Sequence, residues 1–263
     1  MPTQHSLVPV GMMGVQANAN AANLQSSLQQ IYQGDTSYTA EACNAVHTYQ
    51  DENQTTEIDP LDKAIQQYTN FVQKASQASS GRLTCLVGDL TQKNPPNWFY
   101  DGSPPTPNLT RVDSFVRQFI DNINGAGLAN NVLGWYLADE PKNTAGSSTK
   151  PTLQQFTDIC QAAHSAQIAK GWNKPFYVAF YMDGNWAADN NNINFCQWVD
   201  PWVNAVTITV GANLAIMIDY YPWLSTAQDF KFSQSPASEA RRSPLRRWWK
   251  FIKDTNTLSL TIQ

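Results

Sequence analysis

Short apolar runs alternate with longer amphipathic stretches along nearly the whole chain, and that alternation restricts its fold more than any other feature. A strand buried on both faces reads as a short apolar run. A helix lying over a sheet reads as an apolar stripe recurring every three to four residues. Strand then helix, repeated, is the pattern of a parallel α/β fold. Strands are expected at 7–15, 44–49, 83–87, 132–138, 176–182, 214–218 and 258–262. The clearest helix follows Asp59 and Pro60, a cap and a first-turn residue, with Leu61, Ile65, Tyr68, Phe71 and Val72 at helical spacing. A second carries Val112, Phe115, Val116, Phe119 and Ile123 behind a capping-box-like Thr110 and Asp113. Others are expected at 23–32, at 153–170 (stopped by Gly171) and at 238–253.

No linker or internal repeat divides this series, so one domain over residues 1–263 is expected. A (β/α)8 TIM-type barrel needs about 250 residues. Seven strands are legible where a closed barrel has eight, so the expectation is a barrel incomplete at its C-terminus. The alternative is a doubly wound open sheet. No Gly-rich phosphate turn follows an early strand, since Gly11-Met-Met-Gly14 lacks the required spacing, and this favours the barrel.

Composition narrows the partners. Charged residues are only 14% and the net charge is −4, so no positive field draws in nucleic acid or anionic lipid, and neither partner is expected. No run approaches the roughly 20 apolar residues of a membrane span. Met1-Pro2-Thr3-Gln4 has no basic or apolar region of a secretory signal, although the polar composition leans toward a secreted protein. Asn53-Gln54-Thr55 and Asn108-Leu109-Thr110 match the glycosylation sequon, a tripeptide frequent by chance in such a chain. Cys43, Cys85, Cys160 and Cys196 are widely spaced without metal-ligand rhythm and read as buried thiols. Six basic residues between Arg241 and Lys253 read as the solvated face of an outer helix, with Leu245, Trp248, Trp249 and Ile252 inward.

Acidic residues recur where strands end. Asp51 and Glu52 follow the second strand, Asp89 the third, Asp139-Glu140 the fourth, Asp183 the fifth and Asp219 the sixth. In α/β barrels those ends carry the reactive groups. Alternation along each strand assigns faces. With Leu133, Trp135 and Leu137 toward the helices, Gly134, Tyr136, Ala138 and Glu140 turn inward and Asp139 turns away. With Val178, Phe180 and Met182 outward, Ala179, Tyr181 and Asp183 turn inward. With Ile216 and Ile218 outward, Ala215, Met217 and Asp219 turn inward. Clustered carboxylates raise one another's pKa, and an acid held protonated beside an ionised partner is what glycosidic cleavage requires. The competing reading is an acidic rim that binds a cation or caps helices.

Aromatic side chains, 11% of the chain, provide surfaces on which sugar rings stack. Those near expected strand ends are Tyr49, Trp98, Tyr100, Tyr181, Trp186, Tyr220, Tyr221 and Trp223. His47, inward by alternation, either hydrogen-bonds a substrate hydroxyl or is a satisfied interior histidine.

The segment Gly134-Trp-Tyr-Leu-Ala-Asp-Glu-Pro141 resembles strand four of the large retaining clan of TIM-barrel glycoside hydrolases, which carries an Asn-Glu-Pro-like tripeptide there. The resemblance implies that Glu140 is the general acid/base and that Asp139 replaces the Asn that contacts the sugar 2-hydroxyl. Met217-Ile-Asp-Tyr-Tyr-Pro-Trp223 similarly looks like strand six of hydrolase-like barrels. The clan's nucleophile is a Glu ending strand seven, whereas Leu258-Ser-Leu-Thr-Ile-Gln263 has no acid. Asp183 or Asp219 replaces it, or the nucleophile is absent, or the chain is truncated.

The expected function is hydrolysis of O-glycosidic bonds in an oligo- or polysaccharide, without cofactor or metal. Glu140 is the expected acid, with Asp219 or Asp183 as its partner. Asp139, His47, Tyr49, Tyr181, Trp186, Tyr221 and Trp223 are expected to contact the carbohydrate. A non-catalytic carbohydrate-binding barrel is the alternative. A metal-dependent hydrolase is a third reading, weakened because only His47 lies near a strand end.

Overall fold

The computed structural model of the protein describes residues 10–16, 44–49, 60–91, 93, 98–141, 150–181, 194–219 and 259–262. Its strands are β1 (Val10–Gln16), β2 (Asn44–Tyr49), β3 (Thr84–Val87), β4 (Val132–Asp139), β5 (Phe176–Tyr181), β6 (Leu214–Asp219) and β7 (Ser259–Ile262). They form one sheet in sequential order, every neighbour parallel. A doubly wound sheet reverses its strand order at a switch point, and this sheet does not. The order is that of barrel staves, with β1 and β7 outermost among the described residues. The helices expected at 23–32 and 238–253, with the basic run, lie outside the described residues.

Among the described residues four α-helices connect the strands: α1 (Pro60–Ser79), α2 (Leu109–Gly125), α3 (Leu153–Ala169) and α4 (Asn194–Asn204), the last running into a π-helical turn, Ala205–Val210. Pro60 opens α1, its fixed φ suited to a first turn and its missing N–H no loss there. Thr152 and Gln155 close a capping box on α3. The start of α2 differs from the Thr110–Asp113 expectation. Asn108 is the cap, its side chain accepting from the Arg111 N–H at 2.9 Å, and Asp113 instead pairs with Arg117 at 2.8 Å. The amide nitrogen of Asn108 donates to Asp101 at 2.6 Å, so this sequon asparagine belongs to the helix start.

Two apolar clusters lie on opposite faces of the sheet. The large one joins the helices to the outer face: Tyr68, Phe71, Phe115, Phe119, Trp135, Leu137, Phe156, Phe176, Val178, Phe180 and Ile216 are all buried there. Rings meet edge-on within it, as Phe119 and Trp135 do at 5.6 Å. The small one, on the inner face, comprises Leu86, Tyr136, Tyr177, Ala179, Ala215 and Met217, with Leu133 against it. The facing expected for Trp135, Tyr136, Val178, Ala179, Phe180, Ala215, Ile216 and Met217 agrees with this division.

Strand β4 departs from simple alternation. Its register shifts against β3, where Cys85 and Leu86 pair with Val132 and Gly134, leaving Leu133 as an extra residue that packs on the inner cluster. It shifts again against β5, where Tyr136 and Ala138 pair with Tyr177 and Val178, leaving Leu137 extra. Each shift inserts one residue and reverses the alternation beyond it. Ala138 therefore belongs to the helix-side cluster, not the interior. Asp139 pairs with Ala179, an inner-face residue.

The loop between β3 and α2 folds onto the body. Tyr100–Asp101 and Thr106–Pro107 form a two-stranded ribbon, held to α2 by the Arg111–Asp101 ion pair at 2.9 Å. Trp98, Phe99 and Tyr100 are buried, Trp98 lying edge-on to Tyr68 at 5.7 Å. Trp98 and Tyr100 are thus core residues and not sugar platforms. Cys85 and Cys160 are buried free thiols whose pKa values burial pushes up.

Candidate active site

The described acids that come together lie where β3 and β4 end. After β3 the chain turns at Gly88, whose φ is 131°. A Cβ there would collide with the Tyr136 carbonyl oxygen, so only glycine permits the approach. Beyond it the loop lies along β4: Leu90 N–H donates to the Tyr136 carbonyl and Thr91 N–H to the Leu137 carbonyl, both at 3.1 Å. This course brings Asp89 beside Asp139.

Asp89 is 6% exposed, and both its oxygens are engaged. Oδ1 accepts from Thr91 N–H at 2.8 Å and from Thr91 Oγ1 at 3.1 Å. Oδ2 accepts from Asp139 N–H at 3.2 Å. Burial, and then the negative charge of Asp139, pushes the Asp89 pKa up to about 7, against a smaller lowering by Thr91, Lys150 and Asp139 N–H. Tyr100 donates to the Thr91 carbonyl at 3.1 Å, and burial first and Asp89 second push its phenol pKa up.

Asp139 is half-buried and accepts the Tyr136 hydroxyl on Oδ1 at 2.8 Å. Its carbonyl accepts from Lys150 Nζ at 2.6 Å. Glu140, also half-buried, has φ 45° and sends its N–H to the Ala179 carbonyl at 3.0 Å. A left-handed glutamate costs about 1–2 kcal/mol, and such strain persists where surrounding contacts over-determine it. The register shift at Leu137 and this φ together correct the expected facing. Asp139 falls on the inner face, and Glu140 leaves the strand, so alternation no longer sets its direction.

Of the other expected site residues, Tyr181 and Asp219 pair directly across β5 and β6 as the last residues of their strands. His47 lies opposite Leu86, which lies opposite Gly134, five residues short of Asp139. At 3.3 Å per residue that is about 16 Å along the sheet, so the register does not bring His47 to the end of β4. Tyr49 ends β2 opposite Gln16. Asp183, Trp186, Tyr221 and Trp223 lie outside the described residues. Among the described residues, no group of three or more His, Cys, Asp or Glu side chains could hold a metal ion.

Asp89 is the site residue that sequence reasoning passed over. Its place after the third strand was visible. Tyr100, from the 98–107 segment, folds back to bond the Thr91 carbonyl beside it, and alternation carries no trace of that.

No protein-family model matches the chain, and no curated protein matches it. Solved structures do. A variant of GH5_18 from Streptomyces cattleya, in complex with Manb1-4GlcNAc, is 13% identical with a TM-score of 0.48, over 87% of this chain and 55% of that one. A 2,3-dimethylmalate lyase of the PEP mutase/isocitrate lyase superfamily is 10% identical with a TM-score of 0.42, over 81% and 58%. An endo-laminarinase from Formosa Hel1_33_131 is 9% identical with a TM-score of 0.54, over 98% and 65%. The chain thus spans about half to two thirds of the length of these proteins. At such identities the likeness is one of fold, that of TIM-barrel proteins, glycoside hydrolases among them.

Proposed function

We propose that this chain is a glycoside hydrolase of the (β/α) barrel type, cleaving O-glycosidic bonds of an oligo- or polysaccharide with Glu140 as general acid/base. The observation that carries the reading is the strained Glu140 at the end of β4, fastened beside the Asp89–Asp139 pair. Strain of this kind gathers at sites of chemistry, and the ends of parallel strands are where α/β barrels work. Asp89 itself has no free oxygen to offer a glycosidic bond, so the donor assigned is Glu140.

The second carboxylate proposed is Asp219, with Asp183 as the other candidate. Asp139 pairs with Ala179 and Ala179 with Met217, so Asp219 stands two strands across and two residues further along. From strand spacing and rise, the Glu140 and Asp219 backbones are about 10 Å apart. That suits the roughly 6.5–9.5 Å between carboxyls of an inverting enzyme. Asp139, Tyr181 and Asp219 offer polar groups for sugar hydroxyls, with Tyr49, Trp186, Tyr221 and Trp223 proposed as stacking surfaces. His47, deeper in the sheet, is proposed as an interior residue.

The absence of any acid in β7, where the resembled clan holds its nucleophile, favours a second reading: a carbohydrate-binding barrel without turnover. Reducing-sugar release from laminarin, xylan and mannan, with and without chelator, separates the readings. Release unaffected by chelator supports the hydrolase. Binding without release on every glycan supports the binding barrel, and release abolished by chelator supports a metal-dependent enzyme.

A further inference from the structure

The backbone leading into the left-handed Glu140 is held at the Glu140 N–H and at both polar groups of the residue before it. Asp139 N–H is taken by Asp89 Oδ2 at 3.2 Å, Asp139 C=O by Lys150 Nζ at 2.6 Å, and Glu140 N–H by the Ala179 carbonyl at 3.0 Å. These partners come from three separate parts of the chain: the loop after β3, the start of α3 and the adjacent strand β5. Together they fix the two peptide groups on either side of Asp139, and the second of these carries the Glu140 N–H, so they set the direction in which the chain enters Glu140. The Ala179 contact is ordinary ladder bonding, but the other two are made by side chains. Of these two, Asp89 is itself immobilised by burial and by two further contacts to Thr91.

We infer that Asp89 is a positioning residue for Glu140, acting through the Ala138–Asp139 peptide whose N–H it accepts, with Lys150 as a second handle on the following Asp139–Glu140 peptide. The inference rests on the hydrolase reading of Glu140. Asp89 touches no substrate in this scheme. It supplies one rigid acceptor that keeps the Ala138–Asp139 peptide, and with it the chain leading into Glu140, in place at the end of β4.

The role needs an acceptor oxygen facing Asp139 N–H and does not need a charge. When Asp89 is protonated, the proton goes to the Oδ1 side, where Thr91 Oγ1 turns from donor to acceptor, since a hydroxyl does both. Oδ2 goes on accepting from Asp139. Asparagine keeps the contact that matters: its carbonyl oxygen accepts from Asp139 and its NH₂ donates to Thr91 Oγ1, while Thr91 N–H gives up its 2.8 Å contact to Oδ1 and keeps the Leu137 carbonyl. Alanine reproduces neither contact. The two substitutions therefore separate positioning from charge.

The test is steady-state hydrolysis and Asp139 amide hydrogen exchange, measured on the parent, Asp89→Ala and Asp89→Asn. A reacting group displaced by about 1 Å loses on the order of 10²-fold in rate. Asp89→Ala should lose about that factor in kcat, with KM changed less than about threefold, and Asp89→Asn should recover to near the parent. The Asp139 amide should be protected in the parent and Asp89→Asn and exchange freely in Asp89→Ala. A parental kcat in Asp89→Ala overturns the inference. So does a loss confined to KM, or an Asp89→Asn as impaired as Asp89→Ala. If Asp89→Ala does not fold, Lys150→Met releases the other handle, and an unchanged kcat there overturns the clamp. If the parent cleaves no glycan, the hydrolase reading fails by itself, and the exchange comparison still decides whether Asp89 holds the peptide.

Discussion

Replacing Asp89 with asparagine should change how the protein's stability depends on pH, and the size of the change follows from the site. Asp89 is 6% exposed and its pKa is pushed up to about 7 by burial and by Asp139. In an unfolded chain an aspartate titrates near 3.9. Between those values the folded protein holds a proton that the unfolded chain has released. The stability that this proton confers is complete below about pH 4, declines as pH rises, and is gone above about pH 7. About three pKa units at 1.36 kcal/mol each amount to roughly 4 kcal/mol. Asparagine does not titrate and keeps an acceptor toward Asp139, and its loss of the Thr91 N–H contact does not vary with pH. Urea unfolding of both proteins at intervals from pH 4 to pH 8 should show the parent losing roughly 4 kcal/mol relative to Asp89→Asn across that range. A difference that stays flat would refute the reasoning. A parent that gains relative stability toward pH 8 would refute it more strongly, because the three donors around Asp89 would then outweigh its burial.

Gly88→Ala should lower stability by at least about 1–3 kcal/mol in the same assay, since the new methyl meets the Tyr136 carbonyl at a φ that alanine avoids. A neutral result would show that the loop after β3 can lift off β4. Gln167→Leu should cost on the order of 3 kcal/mol, because it strips partners from Trp135 Nε1 and from the Lys174 N–H and carbonyl. Thermal unfolding that is unchanged would place those groups in contact with water. Glu140→Gly should raise stability by about 1 kcal/mol, by relieving the left-handed backbone, while removing turnover. Equal or lower stability would mean that contacts of the Glu140 side chain outweigh the strain.

Much of the fold was legible because its periods are strong. Val178, Phe180 and Ile216 reach the helix side, and Ala179, Ala215 and Met217 the inner face, as alternation requires, because β5 and β6 run in register without interruption. Strand β4 was misread at its end for a specific reason. A single extra residue at Leu137 reverses the alternation, and an apolar leucine inside an apolar run gives no sign of it. The reversal put Ala138 on the helix side and brought Asp139, not the residue after it, onto the inner face. The place of Trp98 and Tyr100 was not legible because a Pro-rich aromatic loop looks the same whether it covers the core or lines a cleft. What decided it was the Arg111–Asp101 pair and the Asn108 cap, which close the ribbon onto α2 over a separation too long for pattern reading. The same fold-back brings Tyr100 to the Thr91 carbonyl beside Asp89. The motif around Glu140, by contrast, drew attention to the strand end where the strained backbone lies.

The most direct test of the central claim is turnover by Glu140→Gln on whichever glycan the parent hydrolyses, measured beside that variant's affinity for the same glycan. Glutamine keeps the size and hydrogen-bonding reach of the side chain and removes the transferable proton. General acid catalysis contributes about 10²–10⁴-fold, so hydrolysis should fall by at least that order while affinity stays near the parent's. Near-parental turnover in a folded Glu140→Gln would contradict the assignment and leave the strained residue without a chemical role.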